Sequence, residues 1–420
     1  MPNHERPTGF SRRRLLIGAA QATIMAILAA CAPPRPISNT PESSPTAPMA
    51  LPTTVPPQPS RQPSATNPAS TPPLEISLAD KIAQMVLVGF RGLTIADGTP
   101  TASDLAERRI GGVVLFDVDL PLDSPVRNIQ SPQQLRALTA QLQERAARPL
   151  LISVDQEGGR VARLNPAHGF PATMSEQSLG KLNDLVKTRE NAETIARMLA
   201  SAGINLNLAP VVDLNVNPQN PVIGQLERSF SADPTIVTSH ALEEIRAHHK
   251  YGVLTTLKHF PGHGSSRADS HRGFVDVTNT WSQVELEPYR RIIAAGEADA
   301  IMTAHIFNAR LDPDVPATLS RRIITGILRE ELAYDGVVIS DDMQMGAISQ
   351  YYGLETAVEK AINAGVDILA VANNQPFQYD PAAAERVIAI IEKLVAGGRI
   401  TRDRIDQSYG RIMRMKGRLT

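Results

Sequence analysis

The chain has one cysteine in 420 residues, Cys31, and it lies close to the N-terminus. That excludes a disulfide framework, and it excludes a zinc site built from paired thiolates. Aromatic residues are only 4% of the chain, which argues against an extended aromatic platform for carbohydrate. The formal net charge is -1, so neither charge sign accumulates to attract nucleic acid or another polyanion. No glycine-rich nucleotide fingerprint follows the first apolar run. No residue pattern calls for a metal or an organic cofactor.

The first 30 residues read as a targeting segment and stay outside the fold argument. Ser11-Arg12-Arg13-Arg14-Leu15-Leu16 leads into an apolar run through Ala30, and the arginine pair resembles a twin-arginine export signal. That run is short for a membrane span. Leu28-Ala29-Ala30-Cys31 resembles a bacterial lipobox, in which the cysteine is lipidated after cleavage; the plainer alternative is an uncleaved anchor with an unmodified thiol. Such a leader implies a protein exported and held on the outer face of the cytoplasmic membrane. Residues 31–73 are rich in Pro, Ser, Thr and Ala with hardly any aliphatic pattern. Too little apolar surface is available there to offset ordering entropy, which predicts a disordered tether.

From Leu74 to the C-terminus a repeating beat sets in. Eight short apolar runs (Met85–Phe90, Gly112–Phe116, Leu150–Val154, Ile204–Val212, Val253–Leu257, Ala300–Ala304, Val337–Ser340 and Ile368–Ala372) alternate with amphipathic stretches. Those stretches include Pro132–Ala146, Leu185–Ala202, Pro234–Tyr251, Gln283–Ala295, Ser320–Leu332, Leu354–Ala364 and Ala382–Ala396, with a closing helix near Arg402–Lys416. Runs apolar on both faces suit parallel strands covered by helices. The expected fold is therefore α/β, a single (β/α)8 TIM-type barrel over residues 74–420, with an open doubly wound sheet as the alternative.

Barrels of this kind place their chemistry at the C-terminal ends of the strands. There the sequence sets Asp155 and Arg163, then Asp213 and Arg228, then Lys258, His259 and His271, then His305, then Asp341 and Asp342. The densest stretch is KHFPGHGSSRADSH, Lys258 to His271, where Gly and Pro shape a turn loaded with titratable groups. An ordinary loop has no reason to gather them.

Four blocks carry a family resemblance: VDQEGGRVARL at Val154–Leu164, ERSF at Glu227–Phe230, KHFPGHG with the following DSH, and ISDDMQM at Ile339–Met345. Together they resemble glycoside hydrolase family 3, in its β-N-acetylhexosaminidase branch. The resemblance implies a retaining exo-acting hydrolase that removes terminal β-linked N-acetylglucosamine through a covalent glycosyl-aspartate. Asp341 matches the nucleophile, and His271 with Asp269 matches a His-Asp acid/base pair. Asp155, Arg163, Arg228, Lys258 and His259 match sugar-binding positions. A helix N-cap is the bland role for either aspartate of the pair, and Asp342 fits it better than Asp341. His263 is expected to brace the turn, His305 to line the pocket or satisfy a strand end, and Glu157 to satisfy backbone in its Gly-Gly turn. His248 and His249 are expected to be solvated on a helix.

One departure stands out, Ser265-Ser266 where the family commonly has Asp-Thr, and it implies an altered loop. No segment remains for a second α/β domain after the closing helix, which favours hexosaminidase over β-glucosidase. Two further alternatives are a phosphorylase, since a neutral histidine repels phosphate less than a carboxylate does, and a non-catalytic wall-binding lipoprotein. The expected partner is an oligosaccharide ending in N-acetylglucosamine, from cell wall or chitin.

Overall fold

The computed structural model describes residues 76–96, 99–376 and 378–419, all within one compact unit, Pro72–Thr420. The targeting segment, the tether and Cys31 lie outside the described residues. Eight strands follow in chain order: β1 (Val86–Gly89), β2 (Gly112–Leu115), β3 (Leu151–Val154), β4 (Leu206–Asn207), β5 (Leu254–Phe260), β6 (Ala300–Thr303), β7 (Val337–Ile339) and β8 (Leu369–Val371). Each pairs in parallel with its sequence neighbour, and β8 pairs with β1 through Val86–Leu369, Leu87–Ala370 and Val88–Val371. The ring closes between β7 and β8, where Asp367 and Ile368 both donate to the Val338 carbonyl at 2.8 and 3.0 Å. A closed barrel results, and the open-sheet alternative is ruled out.

Every residue of the eight strands is buried, as helices outside and packed side chains inside require. Trimming one of them, Ile301 to Ala for instance, would cost roughly 2–5 kcal/mol through lost transfer energy and a cavity. The helices show the matching stripe. Pro132–Arg145 starts on Ser131, whose hydroxyl accepts from Gln134 N, and buries Leu135, Leu138, Thr139 and Leu142 at spacings of three and four. Leu185–Ser201, Pro234–His249 and Arg402–Lys416 are capped in the same way by Asp184, Asp233 and Thr401.

Several local expectations need correction. β4 is regular only over Leu206–Asn207, short of the apolar run that continues to Val212, although the run stays bonded to its neighbours beyond that point through Leu208 N to the Val154 carbonyl at 2.9 Å and a parallel bridge from Val211 to Lys258. β5 instead runs on to Phe260, so Lys258 and His259 belong to the strand rather than to a loop. Arg322–Glu331 winds as a π-helix where an α-helix was expected. The helix Glu176–Leu182 was not anticipated. His248 is fully buried, donating from Nδ1 to the Glu244 carbonyl while Nε2 accepts from Asn207, and burial lowers its pKa to about 4. His249 is bonded to Asp299 at 2.7 Å. His248 is therefore not solvated as expected, whereas His249 stays partly exposed while paired with Asp299.

Candidate active site

A cavity of about 350 Å³ opens at the C-terminal end of the barrel. Asp155, Arg163, Arg228, Lys258, His259, His271 and Asp341 all line it, so residues from five loops and strand ends meet there. Phe116 and Arg160 line it too and were missed by sequence reasoning; Arg160 lay inside the quoted VDQEGGRVARL block without a role.

The floor is a chain of buried ion pairs. Lys258 Nζ reaches Asp155 Oδ1 and Glu157 Oε1, both at 2.7 Å. Glu157 also takes a two-pronged contact from Arg228, at 2.7 Å from Nε and 2.8 Å from Nη2. Burial alone would raise the Glu157 pKa, but the cations of Arg228 and Lys258 outweigh it and hold it at about 2. Glu157 is therefore a side-chain partner of two cations and does not serve its Gly-Gly turn as expected. The turn provides for itself, with Gly158 and Gly159 at φ +98 and +58. Lys258 keeps one N–H free, and Asp155 keeps an oxygen 4.0 Å from Arg163, so both can address a ligand.

Asp213 organises the next step of the wall. Its buried carboxylate accepts His259 Nδ1–H at 2.7 Å and the backbone N–H of His263 at 2.6 Å. Since Arg228 Nη2 can only donate, His259 Nε2 faces it as an acceptor at 3.3 Å. His259 thus aligns Arg228 rather than offering a free donor. His263 is buried and bonds Ser270, bracing the turn. The turn itself requires glycine: a Cβ on Gly264 would lie 1.7 Å from the Leu214 carbonyl oxygen.

Asp341 follows β7 directly. Burial opposes its ionisation, yet the imidazoles of His305, His259 and His271 and the Asp342 amide outweigh that, and its pKa falls to about 2. The Asp342 N–H donates to Asp341 Oδ1 at 2.8 Å, leaving Oδ2 unengaged by that bond. Asp342 borders the cavity too, but its carboxylate is taken up in accepting from Gln344 N, Ala372 N and the Gln375 amide. His305 is buried and satisfies a strand end: its Nε2–H donates to the Asp342 carbonyl at 2.9 Å.

Across the cavity, His271 and Asp269 form a dyad. Asp269 Oδ1 lies 2.8 Å from His271 Nδ1 and also accepts the His271 backbone N–H at 2.9 Å. Partial burial works against the imidazolium, but the hydrogen bond to Asp269 and the charges of Asp341 and Asp269 prevail and raise its pKa. With Nδ1 occupied, Nε2 is the atom left for proton transfer. An ionised carboxylate and a proton-bearing imidazole thus border one sugar-sized space.

Residues 77–415 match the model for the glycosyl hydrolase family 3 N-terminal domain. The chain belongs to glycoside hydrolase family 3. Among family members, "Beta-hexosaminidase A" of Pseudoalteromonas piscicida is 37% identical over 343 residues, covering 76% of this chain and 55% of its own length. The chain thus spans little more than half of that relative. "Beta-hexosaminidase LpqI" of Mycobacterium tuberculosis is 32% identical over 414 residues, covering 96% of this chain and 97% of its own. A family 3 β-N-acetylglucosaminidase from Paenibacillus sp. str. FPU-7 superimposes with a TM-score of 0.74 at 38% identity, covering 82% of this chain and 62% of that one. The family 3 barrel here carries the site just described on its C-terminal rim.

Proposed function

We propose that this family 3 protein is a retaining exo-β-N-acetylhexosaminidase releasing terminal β-linked N-acetylglucosamine. The observation that carries the reading is that Asp341 and His271 line one cavity, the first ionised and the second backed by Asp269. Asp341 attacks the anomeric carbon as the bond to the leaving oxygen breaks, and His271 Nε2 delivers its proton to that oxygen. The product is a glycosyl ester on Asp341. In the second half His271, now neutral, takes a proton from water as the water oxygen displaces the ester, restoring both groups. Asp155, Arg163, Arg228 and Lys258 bind the sugar's hydroxyls and acetamido group, with His259 aligning Arg228. The names of the β-hexosaminidase relatives support the choice of sugar. Incubation with a 2-fluoro glycosyl donor followed by peptide mapping tests this: label is expected on the peptide holding Asp341. Label elsewhere, or turnover surviving in Asp341→Ala, overturns it.

The leader supports a location. On this reading residues 1–30 export the chain, Cys31 carries lipid, and residues 31–73 tether the barrel outside the bacterial cytoplasmic membrane, where cell-wall fragments are the available substrate. Intact-mass measurement on protein from native membranes that finds an unmodified Cys31 removes the anchor.

A further inference from the structure

One buried acid close to the catalytic loop has no part in the steps described above. Glu285 lies in the short 3-10 helix Gln283–Leu286 and is buried. Burial pushes its pKa up to about 7, against the hydrogen bonds from Ser265 that lower it. A carboxyl in such a setting lowers stability unless it has bonds to make.

Its bonds go to one turn. Glu285 Oε2 accepts the backbone N–H of Gly264 at 3.1 Å and that of Ser265 at 3.3 Å. Gly262, at φ +121, passes so close that a Cβ there would lie 2.6 Å from the Glu285 Cβ. The carboxyl is thus packed against and bonded to residues 262–265, where the departure Ser265-Ser266 begins; both serines are buried.

That turn holds the catalytic dyad. His263 Nε2 bonds Ser270 Oγ at 3.2 Å, and Ser270 is the residue between Asp269 and His271. A second hold comes from the chain after β7, where Gly346 N and Ala347 N donate to the carbonyls of His271 and Ser270 at 3.2 Å each. Between the turn and the dyad, Arg267 and Ala268 are exposed, so the loop depends on these anchors for its position. The sugar-binding wall has a separate attachment to the turn, the His263 N–H on Asp213, which Glu285 does not bond.

We propose that Glu285 is a positioning residue for proton transfer: it fixes the turn through which His263 holds Ser270, and so sets where His271 stands at the cavity it shares with Asp341. This role rests on the hydrolase reading above, in which His271 protonates the leaving oxygen. An apolar side chain of similar size would fill the same space with less desolvation, but it would leave two buried amides of the turn without an acceptor.

The test compares kcat/KM of the full chain on methyl β-N-acetylglucosaminide, whose leaving group needs a proton, and on the dinitrophenyl glycoside, whose leaving group does not. In Glu285→Ala the first should fall roughly tenfold more than the second, the scale of one lost hydrogen bond carried into the transition state. The inhibition constant of free N-acetylglucosamine should stay unchanged. Glu285→Gln, which keeps one oxygen for the two amides, should restore most of the ratio. Equal losses on both glycosides, or no loss, in a folded alanine variant overturn the positioning role alone, since a merely structural residue lowers both rates together. Should the alanine variant fail to fold, Ser270→Ala cuts the same path at its far end, and an unchanged ratio there overturns the role. A wild-type chain inert toward both glycosides overturns the hydrolase reading and the positioning role with it.

Discussion

Replacing Asp269 by Ala isolates the contribution of the dyad. The substitution removes one charge-assisted hydrogen bond to His271 Nδ1, 2.8 Å long, and a second acceptor for the His271 amide. A hydrogen bond to an ionised partner contributes about 1.5–3 kcal/mol when shielded from water. The His271 side chain is 54% exposed, so water competes and the low end applies, about 1.5 kcal/mol or roughly tenfold in rate. The loss should depend on the leaving group. A dinitrophenyl glycoside departs without protonation and should lose little, whereas an unactivated disaccharide should bear the whole effect. The pH profile should move as well. In the wild type Asp269 helps to raise the His271 pKa above its ordinary value, and the acid form is lost as pH rises through that raised pKa. Without Asp269 the pKa falls and the alkaline limb of kcat/KM shifts to lower pH. Equal losses on both leaving groups with an unmoved limb would refute the dyad and reduce Asp269 to a loop staple.

Asp341→Asn should abolish turnover by orders of magnitude while N-acetylglucosamine still binds, measured by calorimetry. Glu157→Gln leaves Lys258 and Arg228 short of a counter-charge in a buried setting, which should cost about 3 kcal/mol of stability and lower Tm by several degrees. Asp213→Ala should loosen His259 and the 263 turn, raising KM and lowering Tm. The Asp213 pKa is depressed in the fold, so its contribution is present in full above the ordinary aspartate range and is lost as pH falls through the lowered value; thermal melts at pH 7 and pH 3 should show the full wild-type advantage at pH 7 and a smaller one at pH 3. Gly264→Ala drives a Cβ against the Leu214 carbonyl, and circular dichroism should report a lower Tm together with lost activity.

The barrel was legible because its signal is repetitive. Eight runs apolar on both faces, each followed by an amphipathic stretch, leave few arrangements other than parallel strands sheathed by helices. Where local pattern and tertiary bonding competed, the pattern misled. The Ile204–Val212 run reads as one strand, but it is regular only over Leu206–Asn207, and beyond that its pairing with β5 survives as an isolated bridge at Val211. His248 reads as solvated because helical position alone does not say which face meets the sheet. Glu157 reads as a turn residue because its partners, Arg228 and Lys258, lie 71 residues away or more in the chain.

By itself the sequence determined the alternation of elements, the crowding of titratable groups at strand ends, and the four blocks that mark the family, since each of these is local in the chain. Only the tertiary structure decided which groups share charge. The Asp155–Lys258–Glu157–Arg228 chain, the hold of Asp213 on His259, and the shared cavity of Asp341 and His271 exist because ring closure brings distant strand ends within hydrogen-bond reach. Electrostatic energy depends on distance and burial, and neither is written in the order of residues.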